Sequence, residues 1–108
     1  MGVASTSNAD QRSTFSNYGQ PQVWVAAPGE GIITTYPWGT YAATWGTSFS
    51  APFVAGGAAL LFDAGASLTE SNAAQSVAHA KYISTDLGNG RLDLYQALSA
   101  WLTALGVR

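Results

Sequence analysis

The chain has 108 residues but no cysteine and only 9% charged side chains, four basic and six acidic. The absence of cysteine excludes disulfides, a thiolate nucleophile and a cysteine zinc site. The charged fraction is far below the roughly 25% that is usual in soluble domains. We therefore expect part of this surface to be covered by further protein, and the 108 residues to form a single partial domain.

Basic charge and long apolar runs are also scarce. The net charge of −2 and four scattered basic residues give no electrostatic surface for nucleic acid or an anionic membrane. The longest mainly apolar run, residues 53–62, falls well short of the roughly 20 residues that cross a bilayer. The first residues show no basic segment followed by a long apolar run, so the chain carries no recognisable signal peptide.

The apolar run of residues 53–62 lies in a longer segment, between Glu30 and Asp63, that contains no charged residue. This pattern predicts a core helix that is enclosed on most sides. Small residues such as Ala55 and Gly56 predict close approach of neighbouring backbone. Gly46 permits a sharp entry into the helix, and Thr47 is expected to be its N-cap.

Ser48 is accordingly predicted to lie at a helix N-terminus. Free backbone N–H groups and the positive end of the helix dipole favour a negative charge there, as an acyl-transfer oxyanion requires. The alternative is a serine that only helps to cap the helix. An α/β-hydrolase nucleophile elbow, G-x-S-x-G, is excluded because the residue two positions after Ser48 is Ser50.

Four ordered segments resemble the subtilisin-like serine peptidases, or subtilases. Residues 46–56 (GTSFSAPFVAG) resemble the nucleophile motif, whose usual form is G-T-S-M-A-A-P-H-V-A-G. Residues 15–19 (FSNYG), 25–29 (VAAPG) and 88–93 (GNGRLD) are similar to the segments F-S-N-Y-G, V-x-A-P-G and G-x-G-x-x-(N/D). Phe49 and Phe53 depart from the usual Met and His without removing a catalytic atom.

The resemblance implies an α/β fold, the C-terminal portion of a three-layer subtilase domain. It implies serine endopeptidase chemistry on a polypeptide through an acyl-enzyme on Ser48. The Ser48 backbone N–H would be one oxyanion donor, and Gly46 and Thr47 would shape the wall of the site. Since the order in the family is Asp, His, Ser, the triad Asp and His, and the oxyanion Asn, are expected to precede residue 1.

The resemblance implies that the chain by itself is inactive without the N-terminal half of the domain. The shortage of charged residues predicts that the chain self-associates through the apolar face that this half would cover. An extracellular location is implied by the family. Calcium is common in the family, but the sequence identifies no calcium site and no other cofactor.

No base for Ser48 is evident within the chain. The only histidine, His79, is predicted in the middle of a helix spanning about 69–83 and matches no subtilase motif, so we interpret it as structural or solvated. The carboxylates are spread singly, without paired-acid or metal-ligand spacing. The competing hypothesis is a non-catalytic structural or interaction module that retains the motif because its helix is needed for folding.

The remaining pattern predicts strands near 1–4 and 22–27 and a hairpin of 32–36 with 41–45. A last helix capped by Asp93 is predicted from an apolar period. That period comprises Leu94, Ala97, Leu98, Trp101, Leu102 and Leu105.

Overall fold

The computed structural model describes residues 1–19, 21–65 and 67–106. Its strands are β1 (Val3–Thr6), β2 (Val25–Pro28), β3 (Ile32–Tyr36) and β4 (Thr40–Thr44). Its α-helices are α1 (Thr47–Ala64), α2 (Glu70–Val77) and α3 (Leu94–Ala104), with a short 3₁₀ helix at Thr85–Leu87. The fold is α/β, as predicted.

The first two strands form a parallel pair on which α1 packs. Their register runs from Val3 opposite Val25 to Thr6 opposite Pro28. Alternate side chains of a strand face opposite sides of its sheet, and the two sides are packed differently here. Val25 and Ala27 join residues of all three helices in the main core, whereas Ala26 faces a smaller cluster. The main core comprises Val25, Ala27, Val54, Leu61, Val77, Leu92, Ala97 and Trp101.

Strands β3 and β4 form an antiparallel hairpin that delivers the chain to α1. Trp38 and Gly39 take positive φ values of 62° and 72° in its tight turn, and the Thr40 hydroxyl donates to Pro37 O at 2.8 Å. Trp38 is 93% exposed. The hairpin is as predicted, apart from a shift of one residue in β4.

Helix α1 is buried along one face only, so the prediction of a helix enclosed on most sides is wrong for this chain. Its buried residues are Ser50, Val54, Gly57 and Leu61, whose spacing of four, three and four marks a single helical face. This face packs on β1, β2 and the other helices. Nothing in the described part of the chain covers the opposite face, where Leu60 and Phe62 are more than half exposed.

The end of α2 also differs from the prediction. The helix ends at Val77 rather than near Ile83, because Lys81 pairs in an extended conformation with Arg91, each amide donating to the other's carbonyl oxygen at 2.9 Å. Its start is set by a capping box between Thr69 and Asn72.

Helix α3 begins at the predicted N-cap. Asp93 accepts a hydrogen bond from the Gln96 amide at 3.1 Å. Of the predicted apolar period, only Ala97 and Trp101 are fully buried, while Leu94, Leu98 and Leu105 stay more than one third exposed.

Candidate active site

The first turn of α1 presents Ser48 to solvent. The N-cap is Gly46, with φ 149° and ψ 155°, and no side chain caps the helix. The prediction that Thr47 is the N-cap is therefore wrong, because Thr47 is already the first helical residue. A φ of 149° is open to glycine but strained for other residues, so Gly46 permits the sharp entry that the sequence indicated.

The missing side-chain cap matters for chemistry. In a capped helix a side-chain oxygen accepts from the N–H groups of the first turn, but no side chain among the described residues caps α1. These N–H groups and the helix dipole can therefore stabilise a negative charge that develops beside Ser48. The alternative in which Ser48 itself caps the helix is not supported, because Ser48 lies inside the first turn and makes no capping bond.

The strand end at Gly29 holds this first turn in place. The Gly46 amide donates to Gly29 O at 2.8 Å, and the Gly29 amide donates to Thr6 O at 3.1 Å. Phe49 then donates to Gly46 O at 3.1 Å. A continuous line of backbone hydrogen bonds thus joins β1 to the turn that carries Ser48.

An open groove of about 250 Å³ lies between the hairpin and α1, and Phe49, the residue after Ser48, contributes to its lining. Its walls come from β3 and from the first two turns of α1, and most of the side chains that form them are apolar. The lining residues are Ile32, Ile33, Thr34, Phe49, Pro52 and Phe53. Trp45, directly before the N-cap, is 60% exposed.

No base is brought to Ser48 by the only histidine. His79 lies just after α2 rather than in the middle of a helix as predicted, and its Nδ1 is 3.1 Å from Gln75 O. It lines a different groove with Gln96, Ser99 and Thr103 of α3. None of the residues around that groove belongs to the loop or the helical turn that carries Ser48.

The two carboxyl groups with shifted pKa values belong to other parts of the chain. A hydrogen bond from Lys81, supported by the nearby Arg91, lowers the pKa of Asp10. The Gln96 amide and side chain lower the pKa of Asp93, the α3 N-cap. Both shifts are explained by structural contacts, so neither carboxylate is poised as a base for Ser48.

The described residues include neither a cluster of metal ligands nor a membrane-spanning helix. No three His, Cys, Asp or Glu side chains among them cluster in a way that could hold a metal ion. None of the helices in residues 1–19, 21–65 and 67–106 is long and apolar enough to span a bilayer.

Comparison with known proteins decides the family. A family model, the Subtilase family of peptidases S8, matches residues 1–97. The chain belongs to the subtilase family. Thermitase from Thermoactinomyces vulgaris is 43% identical over 100 residues, covering 91% of this chain and 36% of thermitase. Subtilisin Savinase from Lederbergia lenta is 38% identical over 92 residues, covering 85% of this chain and 33% of that protein.

The fold agrees with solved subtilase structures. A protease structure from Pseudoalteromonas arctica PAMC 21717 superimposes with a TM-score of 0.84 at 31% identity, over 92% of this chain and 35% of that one. The chain therefore spans only about a third of the length of these relatives.

Two residues at the turn that carries Ser48 were missed from the sequence. Gly29 was noted only as part of the VAAPG segment, although that segment's resemblance to a family motif was a signal. Ser50 stands where the usual motif has Ala, and its hydroxyl is fully buried without a hydrogen-bond partner among the described residues. The departure from the motif could have drawn attention to this position.

Proposed function

We propose that this chain is the part of a subtilase catalytic domain that supplies the nucleophile, and that the whole domain is a serine endopeptidase. The observation that carries the proposal is Ser48, exposed in the uncapped first turn of α1 within the family's nucleophile motif. Polypeptides are the proposed substrates, and the extracellular space is the proposed location.

In the proposed reaction Ser48 Oγ attacks the carbonyl carbon of the scissile peptide bond and loses its proton to an imidazole base. The oxyanion of the tetrahedral intermediate accepts a hydrogen bond from the Ser48 backbone N–H, and Gly46 and Thr47 form the adjacent wall. The amine leaves with the proton, and an acyl ester remains on Ser48. Water then hydrolyses the ester, which restores the hydroxyl and releases the acid.

The base is proposed to come from a segment outside these 108 residues. An unassisted hydroxyl is a poor nucleophile near neutral pH, and a general base contributes about 10²–10⁴-fold. His79 faces another groove, so it does not meet this need. The chain alone is therefore proposed to be close to inert, as expected when triad members act as a unit.

The exposed face of α1 is proposed to be the surface on which that segment packs. Phe53, Leu60 and Phe62 are 44–58% exposed there, between small residues such as Ala55 and Gly56 that would permit close contact. An apolar face of this kind is unusual on a free surface. In the absence of its partner, we expect it to promote self-association of the chain.

The test is a chimaera in which this chain replaces the stretch of thermitase that it matches. The chimaera is expected to hydrolyse peptides, and Ser48→Ala is expected to abolish hydrolysis. Ser99→Ala, on the exposed side of α3, is the matched control and should retain activity. The chain without its partner should show no hydrolysis.

A non-catalytic structural or interaction module is the second candidate, and the observation that favours it is that the only histidine, His79, lines a different groove. A chimaera that folds but hydrolyses no peptide would support this candidate and contradict the first. Hydrolysis that survives Ser48→Ala would also contradict the first, because another nucleophile would then be responsible.

A further inference from the structure

We propose that Gly29 is a positioning residue for Ser48. Because Gly29 has no side chain, the first turn of α1, which carries Ser48, can pack against the end of β2. The inference rests on the proposed function of Ser48. Gly29 does not touch the substrate in this account. It acts through Gly46, the N-cap two residues before the nucleophile.

Two backbone hydrogen bonds join Gly29 to β1 and to the start of α1. Its amide donates to Thr6 O at the end of β1, and its carbonyl oxygen accepts from the Gly46 amide at 2.8 Å. Gly46 is thereby held against the end of the parallel strand pair. Because Gly46 is the N-cap of α1, the position of the first turn follows from this contact.

Gly29 is buried, and the atoms around it leave no room for a side chain. A Cβ at this position would overlap the hydroxyl oxygens of Ser5 and Ser50 and would lie 2.9 Å from Gly46 O. The φ of Gly29 lies outside the left-handed region. A backbone torsion therefore does not require glycine here, and close packing does.

Two of the crowded atoms belong to the start of α1. Ser50 lies in its first turn, and Gly46 O is the acceptor for the Phe49 amide. The Ser50 hydroxyl can turn away from a methyl group at position 29, but Gly46 O is a backbone atom and has to shift. Ser48 follows Gly46 by two residues, so its Oγ would move with this shift. Misplacement of a reacting atom by about 1 Å can cost about 10²-fold in rate.

The variant Gly29→Ala tests this directly in the thermitase chimaera, with Ser99→Ala as control. Ser99 is exposed on α3 and lies outside the turn that carries Ser48. With active-site titration to count folded enzyme, Gly29→Ala is expected to lower kcat at least tenfold while KM changes less than twofold. Ser99→Ala should leave both within twofold.

Rescue separates positioning from a general loss of structure. Ser5→Ala together with Ser50→Ala removes two of the three crowding atoms, but Ser5→Ala also removes a buried hydrogen bond of 2.7 Å between Ser5 Oγ and Ser13 Oγ. The reference is therefore the chimaera that carries these two substitutions with Gly29 intact, and adding Gly29→Ala to it should lower kcat much less than Gly29→Ala does alone. An unchanged kcat in folded Gly29→Ala would overturn the inference. If Gly29→Ala does not fold in the chimaera, the triple variant decides, and a triple variant that falls well short of the reference in folding and kcat would also overturn it.

A second readout does not depend on catalysis. Hydrogen exchange of the Gly46 amide, followed by NMR in the 108-residue chain, should be at least tenfold faster in Gly29→Ala than in Gly56→Ala. Equal exchange would contradict the role of Gly29. An inactive but folded wild-type chimaera would contradict the proposed function, while the exchange result would still decide the role of Gly29.

Discussion

Gly57 of α1 packs directly against Leu94 at the start of α3, so closely that a Cβ at Gly57 would lie 2.6 Å from Leu94 Cδ2. Its neighbour Gly56 faces open space. The close contact predicted for the small residues of this helix is therefore present at Gly57 and absent at Gly56. Gly57 thus lies on the face of α1 that packs within this chain, and Gly56 lies on the face that is proposed to receive a partner.

Replacing either glycine by leucine should affect the stability of the 108-residue chain to very different extents. Gly57→Leu overpacks the α1–α3 contact and is expected to lower the free energy of unfolding by about 1–3 kcal/mol or more. Gly56→Leu should change it little, as should Ser48→Ala. Urea unfolding measures all three, and equal stabilities would contradict the packing described here.

The exposed face of α1 should make the isolated chain self-associate. Leu60 is 58% exposed, whereas the next residue, Leu61, is 1% exposed in the core. Leu60→Lys should reduce both ANS fluorescence and the apparent mass from light scattering without loss of stability. Leu61→Lys is the contrast and should unfold the chain, because it buries an unpaired charge. A monomeric wild type without ANS binding would argue against an apolar docking face.

Asp10 should make stability depend on pH in the acid range. Its carboxylate contacts Lys81 Nζ at 2.8 Å and Arg91 Nε at 2.7 Å, which lowers its pKa below the ordinary value of 3.8. A lowered folded-state pKa contributes stability that is present above the unfolded pKa and lost as pH falls through the folded one.

Asp10→Asn should therefore destabilise the chain at neutral pH, by about 1 kcal/mol or less since the pair is partly exposed. Its difference from wild type should shrink as pH falls below 3.8. Asn also tolerates the positive φ of 56° at this position, so backbone strain does not confuse the comparison. A pH-independent difference in urea midpoints would show that the ion pairs are not its cause.

Asp93 should stabilise the folded chain by capping the N-terminus of α3. Asp93→Ala leaves the Gln96 amide without its side-chain acceptor and is expected to cost about 1 kcal/mol. Asp93→Asn keeps an acceptor oxygen and should cost less. Thermal unfolding of the two variants makes the comparison, and the ranking would be contradicted if Asn were as damaging as Ala.

Local signals in the sequence predicted much of this fold. The hairpin, the Asp93 cap and the helix that follows Gly46 depend on residues close together in the chain, and all three are present. The end of α2 could not be predicted in this way. It is set by the pairing of Lys81 with Arg91, a tertiary contact that overrides local helix propensity.

In the candidate site, too, local sequence predicted some features and could not predict those that depend on tertiary contacts. The motif around Ser48 located the turn, but the side-chain pattern could not show that Gly46 rather than Thr47 is the N-cap. Nor could it show that Gly29 lies against Ser50, since that contact joins a strand end to a helix across the hairpin. The enclosure of α1 was predicted from its composition, and composition does not reveal whether the covering surface belongs to the same chain.

The most direct test of the account is labelling of Ser48 with a fluorophosphonate, located by mass spectrometry. The 108-residue chain should be labelled very slowly, and His79→Ala should not change that rate. The thermitase chimaera should be labelled rapidly, with the adduct on Ser48. Rapid labelling of the chain alone at Ser48, abolished by His79→Ala, would contradict the claim that this nucleophile depends on a base from another segment.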